Sequence, residues 1–155
     1  MYQICHANPA ALAHIRGGNN HPTICGTAAF FPMHDGMIVA VVVRGLPEQT
    51  HTCTNGIFEL HIHKGTDCTG TNFSNSGSHL DKTGCLHPRH TGDLPPLFSG
   101  HGKASAEFWT DRFTLRDILG KTIIIHKQPD DMHTQPSGNA GEKIACGKIL
   151  PCCCR

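Results

Sequence analysis

Hydrophobic and polar residues alternate along several short stretches of the chain, as is typical of β-strands with one buried face. The clearest stretch is 57–63. Its apolar positions are Phe58, Leu60 and Ile62, and its polar positions are Glu59, His61 and His63. Because side chains two residues apart in a strand point the same way, each set occupies one face. The pattern predicts a half-buried strand that carries two neighbouring imidazoles on its polar side.

Further stretches predict strands separated by turns rich in glycine, proline, asparagine and aspartate. They are 10–16, 23–31, 37–43, 104–109, 122–126 and 144–150. One other stretch, 113–120, ends in glycine and predicts a single helical turn. Several short strands with few helical stretches favour an all-β sandwich or barrel.

Two long stretches, 64–96 and 127–143, show neither strand nor helix periodicity and predict loops. A structureless stretch of about thirty residues inside a compact domain is uncommon, and it is usually either functional or disordered. The first loop contains four residues that commonly bind metals, namely His79, His87, His90 and Asp93. Their presence favours a functional loop.

The length of 155 residues suits a single domain over 1–155, with 151–155 as a predicted disordered tail. The net charge of +1 gives no reason to expect nucleic acid or a membrane surface as a partner. No apolar run approaches the roughly 20 residues that span a bilayer. The first residues lack the basic and apolar regions of a signal peptide, which predicts a cytoplasmic location, or an extracytoplasmic one if a leader has been removed.

Thirteen histidines and nine cysteines stand out in a chain with only 16% charged residues. Imidazole suits copper and zinc, whereas calcium and magnesium prefer oxygen ligands. The candidate ligands are His61, His63, His79, His87, His90, Asp93 and His126. This set exceeds what one tetrahedral site needs. It fills two four-ligand sites only if one histidine binds both metals through its two ring nitrogens.

In these residues and the motifs around them, the sequence resembles the copper/zinc superoxide dismutase family, and in particular its bacterial members. The matching elements follow the family's order: His61-Ile62-His63, Cys68, Gly77-Ser78-His79, His87, His90-Thr91-Gly92-Asp93-Leu94-Pro95, Ile125-His126, Asp130-Asp131, Gly138-Asn139-Ala140-Gly141 and Ala145-Cys146-Gly147. Each motif alone is weak, but the ordered set is very specific. It extends over 56–149, and the first fifty residues fit the family's opening strands.

The resemblance implies an all-β, eight-stranded Greek-key β-barrel with two long functional loops. It implies an enzyme that converts superoxide to oxygen and hydrogen peroxide at a copper centre with an adjacent zinc. Superoxide would be the small-molecule substrate, and neither nucleic acid nor a membrane is expected as a partner. The family includes monomers and dimers, so a homodimer stays open.

The resemblance also implies roles for individual residues. The copper ligands would be His61, His63, His79 and His126, and the zinc ligands would be His79, His87, His90 and Asp93. His79 would bridge the metals and help to deliver a proton during catalysis. Asp130 would link a copper-ligand histidine to a zinc-ligand histidine from outside, fixing their orientation. Cys68 and Cys146 would form the family's intrachain disulfide.

One position departs from the family, which places an anion-guiding arginine where this chain has Lys143. Lysine keeps the positive charge but lacks the planar, multi-donor guanidinium, so we expect anion steering to survive and docking to be looser. The loop 127–143 is also short for the family's electrostatic loop, which argues against strong funnelling of the substrate.

The terminal run Cys152–Cys154 is either a copper-capturing tail or a disordered terminus. Together with the lysine at position 143, it keeps a second hypothesis open. On that hypothesis the chain is a non-catalytic copper- or zinc-binding protein on the same fold, used for metal buffering or delivery.

Overall fold

The computed structural model describes residues 8–48 and 56–152. Its strands are β1 (Ala11–Gly17), β2 (Cys25–Met33), β3 (Gly36–Arg44), β4 (Ile57–His63), β5 (Leu97–Gly100), β6 (Lys103–Thr110), β7 (Thr122–His126) and β8 (Lys143–Pro151). A 3₁₀ helix (Thr71–Ser76) lies within the first long loop, and a short α-helix, α1 (Leu115–Ile118), lies between β6 and β7. Within these ranges no helix is long and apolar enough to cross a membrane.

The strands close into an antiparallel barrel in the order β1-β2-β3-β6-β5-β4-β7-β8, and β8 pairs with β1. Between β3 and β4 the chain passes over two strands of the barrel, and it does so again between β6 and β7. Such crossovers between antiparallel strands define a Greek key. The predicted all-β, eight-stranded Greek-key barrel is therefore confirmed.

Alternate residues of the strands fill the inside of the barrel. On β4, Phe58, Leu60 and Ile62 are fully buried and belong to the central apolar cluster, as the alternation predicts. Ile123 and Ile125 of β7 meet them there. Burying side chains of this size stabilises the fold by about 1.5–3 kcal/mol each. The polar face of β4 must therefore point out of the barrel.

β5 is the strand that the hydrophobic pattern does not predict. It has only four residues, of which Leu97 is buried and Phe98 is exposed. It pairs with β4 at two positions only, opposite Ile57 and Phe58. A strand this short, directly after Pro95-Pro96, is too brief to display a period of two.

The prediction that 151–155 is a disordered tail is wrong for Pro151 and Cys152. Pro151 is the last residue of β8, and the backbone N–H of Cys152 donates to the carbonyl of Ala10 at 2.9 Å. This hydrogen bond extends the β1–β8 edge beyond the strand itself. Residues 153–155, with Cys153 and Cys154, lie outside the described residues.

Candidate metal centre

The outward face of β4 is covered by the two long loops. Glu59, His61 and His63 are at most 2% exposed, although they point away from the apolar core. Along one edge, β4 pairs with β7 from Glu59 to His63. Along its other edge, β4 pairs with β5 only at Ile57 and Phe58. The remainder of that second edge is free to pair with the loop 64–96.

Backbone hydrogen bonds seat this loop against β4. The N–H of Ile62 donates to the carbonyl of Gly92 at 2.9 Å, and the N–H of Leu80 donates to the carbonyl of Ile62 at 2.8 Å. A Cβ at Gly92 would lie 2.2 Å from the Ile62 oxygen, so only glycine permits this approach. The pairing places His79 opposite His63 and Asp93 opposite His61.

Four histidines, here called the histidine cluster, lie outside the barrel wall: His61, His63, His79 and His126. One ring nitrogen from each lies within 4.8 Å of all the others. His63 Nδ1 donates to the Gly77 carbonyl at 2.8 Å, and His126 Nδ1 donates to the Gly141 carbonyl at 3.1 Å. Because a carbonyl only accepts, each ring carries a proton on Nδ1 and presents the lone pair of Nε2.

These two lone pairs face each other. His63 Nε2 and His126 Nε2 are 3.1 Å apart. Burial, and next the repulsion from neighbouring histidines, lowers the pKa of His126 to about 3 and that of His63 further still. Both rings are therefore neutral at pH 7, with no proton to share between the two nitrogens. A cation placed between them would turn this repulsion into attraction.

A second group, here called the mixed cluster, shares one histidine with the first: His79, His87, His90 and Asp93. His79 Nδ1 lies 2.8 Å from Asp93 Oδ1. His87 Nδ1 and His90 Nδ1 lie 3.1 Å and 3.6 Å from Asp93 Oδ2. Neither of the last two nitrogens has a hydrogen bond, so three imidazoles converge on one carboxylate that satisfies only one of them.

The residues present fit two metal ions. Among the buried side-chain atoms of the described ranges, four lack a hydrogen-bond partner: His61 Nδ1, His79 Nε2, His87 Nδ1 and His90 Nδ1. Each such atom costs about 1–3 kcal/mol when left unpaired. All four belong to the two clusters, and their nitrogen-rich donor sets suit copper and zinc.

Asp130 joins the two clusters from outside. His61 Nε2 lies 3.1 Å from its Oδ2, and His87 Nε2 lies 2.9 Å from its Oδ1. Burial alone would raise the pKa of Asp130, but the hydrogen bonds from His61 and His87 hold it well below the usual range. The carboxylate thus fixes one nitrogen of each ring and leaves Nδ1 of each free to face the clusters.

Lys143 begins β8 beside the histidine cluster. Its Nζ donates to Ser76 Oγ and to the Gly77 carbonyl, each at 2.8 Å. The same carbonyl accepts from His63, so one oxygen connects the ammonium group to a cluster histidine. Burial lowers the pKa of Lys143. An ammonium group has three donors, so one N–H remains for a ligand.

The predicted disulfide between Cys68 and Cys146 is confirmed. It connects the loop 64–96 to β8, next to the segment that carries Ser76 and Gly77. All the predicted site residues therefore lie together in one region on the outer wall of the barrel: the members of the two clusters, Asp130, Lys143 and the disulfide.

Glu59 and Gln135 also support this region, although neither of them has a role predicted from the sequence. Glu59 Oε2 accepts the backbone N–H of Asp130 at 3.0 Å, and burial raises the pKa of Glu59 to about 7. The alternation over 57–63 places Glu59 on the same strand face as His61, and this is the only sequence signal that points to it. Gln135 accepts the N–H of His87 at 3.0 Å and donates to its carbonyl at 2.8 Å. No sequence pattern marks Gln135, since the two residues lie 48 positions apart.

A closed β-barrel with two histidine-rich clusters that share one imidazole defines a protein built for a pair of metal ions. The model of the copper/zinc superoxide dismutase (SODC) family matches residues 24–149. The chain belongs to the copper/zinc superoxide dismutase family.

Known proteins similar to this chain agree with that assignment. The Cu-Zn superoxide dismutase of Deinococcus radiodurans is 34% identical over 146 residues, covering 80% of this chain and 76% of the relative. The Cu-Zn superoxide dismutase of Caulobacter vibrioides is 30% identical over 157 residues, covering 90% and 85%. A solved double mutant of a SOD-like protein from Bacillus subtilis superimposes with a TM-score of 0.77 at 27% identity, covering 90% of this chain and 96% of that one.

Proposed function

We propose that this chain is a superoxide dismutase, with copper in the histidine cluster and zinc in the mixed cluster. The observation that carries the proposal is the pair of facing Nε2 lone pairs on His63 and His126, 3.1 Å apart within four converging imidazoles. Copper, when bound there, supplies alternating one-electron oxidation and reduction of superoxide. The products are oxygen and hydrogen peroxide.

The protein's part is to hold the ligand rings in fixed orientations. Asp130 orients His61, the Gly77 carbonyl orients His63 and the Gly141 carbonyl orients His126. Each contact occupies the nitrogen that faces away from the cluster. Partners of this kind fix the tautomer and direction of a metal-binding histidine, and losing one typically costs about 10–100-fold in affinity or activity.

His79 is the residue that we assign to proton delivery. It is the shared member of the two clusters, with Nδ1 on the Asp93 side and Nε2 without a hydrogen-bond partner. Contacts at Nδ1 hold the ring in place while Nε2 takes up and releases a proton. The product peroxide needs two protons, and we assign the delivery of one of them to this nitrogen.

Lys143 is the residue that we assign to guiding the anion. Its two structural hydrogen bonds hold Nζ at the edge of the histidine cluster, and its remaining N–H can meet superoxide. Replacing it by arginine tests this role: Lys143→Arg should raise the rate modestly and change its salt dependence, because guanidinium offers a wider set of donors. Identical rate and salt dependence in the two proteins would remove Lys143 from the mechanism.

The decisive experiment is metal loading followed by a superoxide-decay assay. His63→Ala and His126→Ala should each lower the rate by about 100-fold or more, since losing a ligand should cost at least as much as losing an outer partner. His133→Ala is the matched control, because that side chain is 79% exposed and belongs to neither cluster. Copper-loaded protein that is no faster than free copper would contradict the enzyme and support the metal-buffering or delivery protein.

The cytoplasmic location and the homodimer stay predictions from the sequence. Neither enters the proposed chemistry, because every residue assigned a role belongs to one chain. Size measurement in solution checks the homodimer independently of activity.

A further inference from the structure

A buried carboxylate that belongs to neither metal cluster lies behind the metal centre. Glu59 is on β4 two residues before His61, and it is only 1% exposed. Its carboxylate groups with His61 and Asp130, with donor atoms within 4.8 Å of one another. Burying a carboxyl group is costly unless it is hydrogen-bonded, so its contacts show what it supports.

Both oxygens of Glu59 accept backbone N–H groups. Oε2 accepts from Asp130 at 3.0 Å, and Oε1 accepts from Leu60 at 3.2 Å. The Oε1 atom lies 4.0 Å from His61 Nε2, which is too far for a hydrogen bond. Glu59 therefore does not hold the His61 ring itself. It holds the backbone of the residue whose side chain does.

Asp130 needs such an anchor because it lies in the loop 127–142, outside any strand or helix. Its carboxylate must meet His61 and His87 at the same time, so a small shift of its backbone would disturb both rings. Glu59 lies on the same rigid strand as His61. One strand thereby positions both the imidazole and, through the loop backbone, the carboxylate that orients it.

We propose that Glu59 is a positioning residue that acts through Asp130 to set the orientation of His61 and His87. The inference rests on the proposed function, since it takes the two clusters as metal ligands. It makes one requirement explicit: position 59 must supply a hydrogen-bond acceptor. A neutral acceptor of the same shape meets that requirement, and an apolar side chain does not.

The test compares Glu59→Leu with Glu59→Gln in protein loaded with Cu(II), and with Co(II) in place of zinc. Glu59→Leu should bind copper about tenfold more weakly, the lower end of the range for outer partners of a metal site. It should also change the copper EPR spectrum and the visible cobalt spectrum together, because Asp130 touches a ring of each cluster. Glu59→Gln should restore both spectra.

Asp131→Ala is the matched control in the same loop. Asp131 accepts the N–H groups of His133 and Thr134 at 3.0 Å and 2.8 Å, so its loss loosens the loop without removing the Glu59 contact. It should lower the melting temperature and leave both spectra unchanged. In an Asp130→Ala background, Glu59→Leu should have no further effect on the spectra, since its effect passes through Asp130.

Wild-type spectra in folded Glu59→Leu would overturn the proposal, as would equal spectral changes in Asp131→Ala. Either result would leave superoxide turnover by the wild-type protein standing, so the proposed function would survive it. If Glu59→Leu does not fold, amide hydrogen exchange of the wild type decides. The Asp130 N–H should be protected from exchange by its hydrogen bond to Glu59, and fast exchange would contradict the anchor.

Discussion

The two halves of the metal centre are supported differently by the fold. Strands β4 and β7 carry three of the four members of the histidine cluster, namely His61, His63 and His126. Every member of the mixed cluster lies in the loop 64–96. Strand residues are placed by the ladder hydrogen bonds of the whole barrel, whereas loop residues depend on a few separate anchors.

Those anchors come from distant parts of the chain. Gln135 holds both backbone groups of His87, and the Arg112 guanidinium donates to the carbonyl of His90 at 3.0 Å. The disulfide joins the start of the loop to β8. The histidine cluster thus follows closely from the barrel, while the mixed cluster needs several long-range contacts to be correct together. Damage to the anchors should therefore separate the two halves.

Removing the disulfide is expected to have the largest effect on stability. Closing a loop with a sequence separation of 78 is worth about 4–5 kcal/mol in the chain-entropy model, so Cys68→Ala/Cys146→Ala should lose about that much free energy of unfolding. Because the bond anchors the loop, zinc should be lost before copper as urea increases. Urea denaturation with metal analysis measures both, and Cys85→Ala, at an exposed free thiol, is the control. Simultaneous loss of both metals would contradict the distinction between the halves.

Removing one ligand from each half tests whether the clusters can be emptied separately. His126→Ala should weaken copper binding by about 100-fold or more and leave zinc bound, because it removes a strand-held donor of the histidine cluster only. His90→Ala should weaken zinc binding and leave the copper EPR spectrum in place, since this residue belongs only to the mixed cluster. His79→Ala should affect both metals. If His90→Ala abolished copper binding as fully as His126→Ala, the halves would not be independent.

A glycine beside Asp130 tests the second loop. Gly138 has φ +65°, and a Cβ there would lie 1.8 Å from Asp130 Oδ1. Gly138→Ala should therefore cost about 2 kcal/mol through strain and overlap. Gly141→Ala is the matched control: its φ is +76°, but its nearest contact would be 3.4 Å away, so about 1 kcal/mol is expected from strain alone. Thermal unfolding of the metal-free proteins measures the difference, and equal losses would show that the Asp130 contact is unimportant.

The same division explains how far the sequence predicts the structure. The alternation over 57–63 places His61 and His63 on the outer face of β4 before any contact is known, and the strand is observed with those bounds. The ordered ligand motifs likewise carry the family resemblance. Both signals are local, or are fixed in the family's order along the chain.

Features that depend on distant contacts could not be predicted in this way. The anchoring of Asp130 by Glu59 requires two residues 71 positions apart to meet, and the contact of Lys143 with Ser76 requires 67. Neither pairing leaves a periodic trace in the sequence. β5 could not be predicted for a different reason: a strand of four residues is too short to show an alternation. These long-range contacts support both halves of the site, because Asp130 touches a ring of each cluster and Lys143 shares the Gly77 carbonyl with His63.

The smallest expected effect on stability comes from replacing Asp117, which contacts the loop 64–96 through Lys82. Its carboxylate accepts the N–H and Oγ–H of Thr114 at 2.8 Å and 2.9 Å and pairs with Lys82 of that loop. Asp117→Asn should lower the free energy of unfolding by about 0.5–1 kcal/mol at pH 7.

Burial would raise the pKa of Asp117, but the hydrogen bonds from Lys82 and Thr114 lower it. The stabilisation is therefore present above the unfolded pKa of about 3.9 and is lost as the pH falls through the folded value. Urea denaturation of metal-free protein should show the difference at pH 7 and a smaller one at pH 3, and a difference that stays constant would rule out the charged carboxylate as its source.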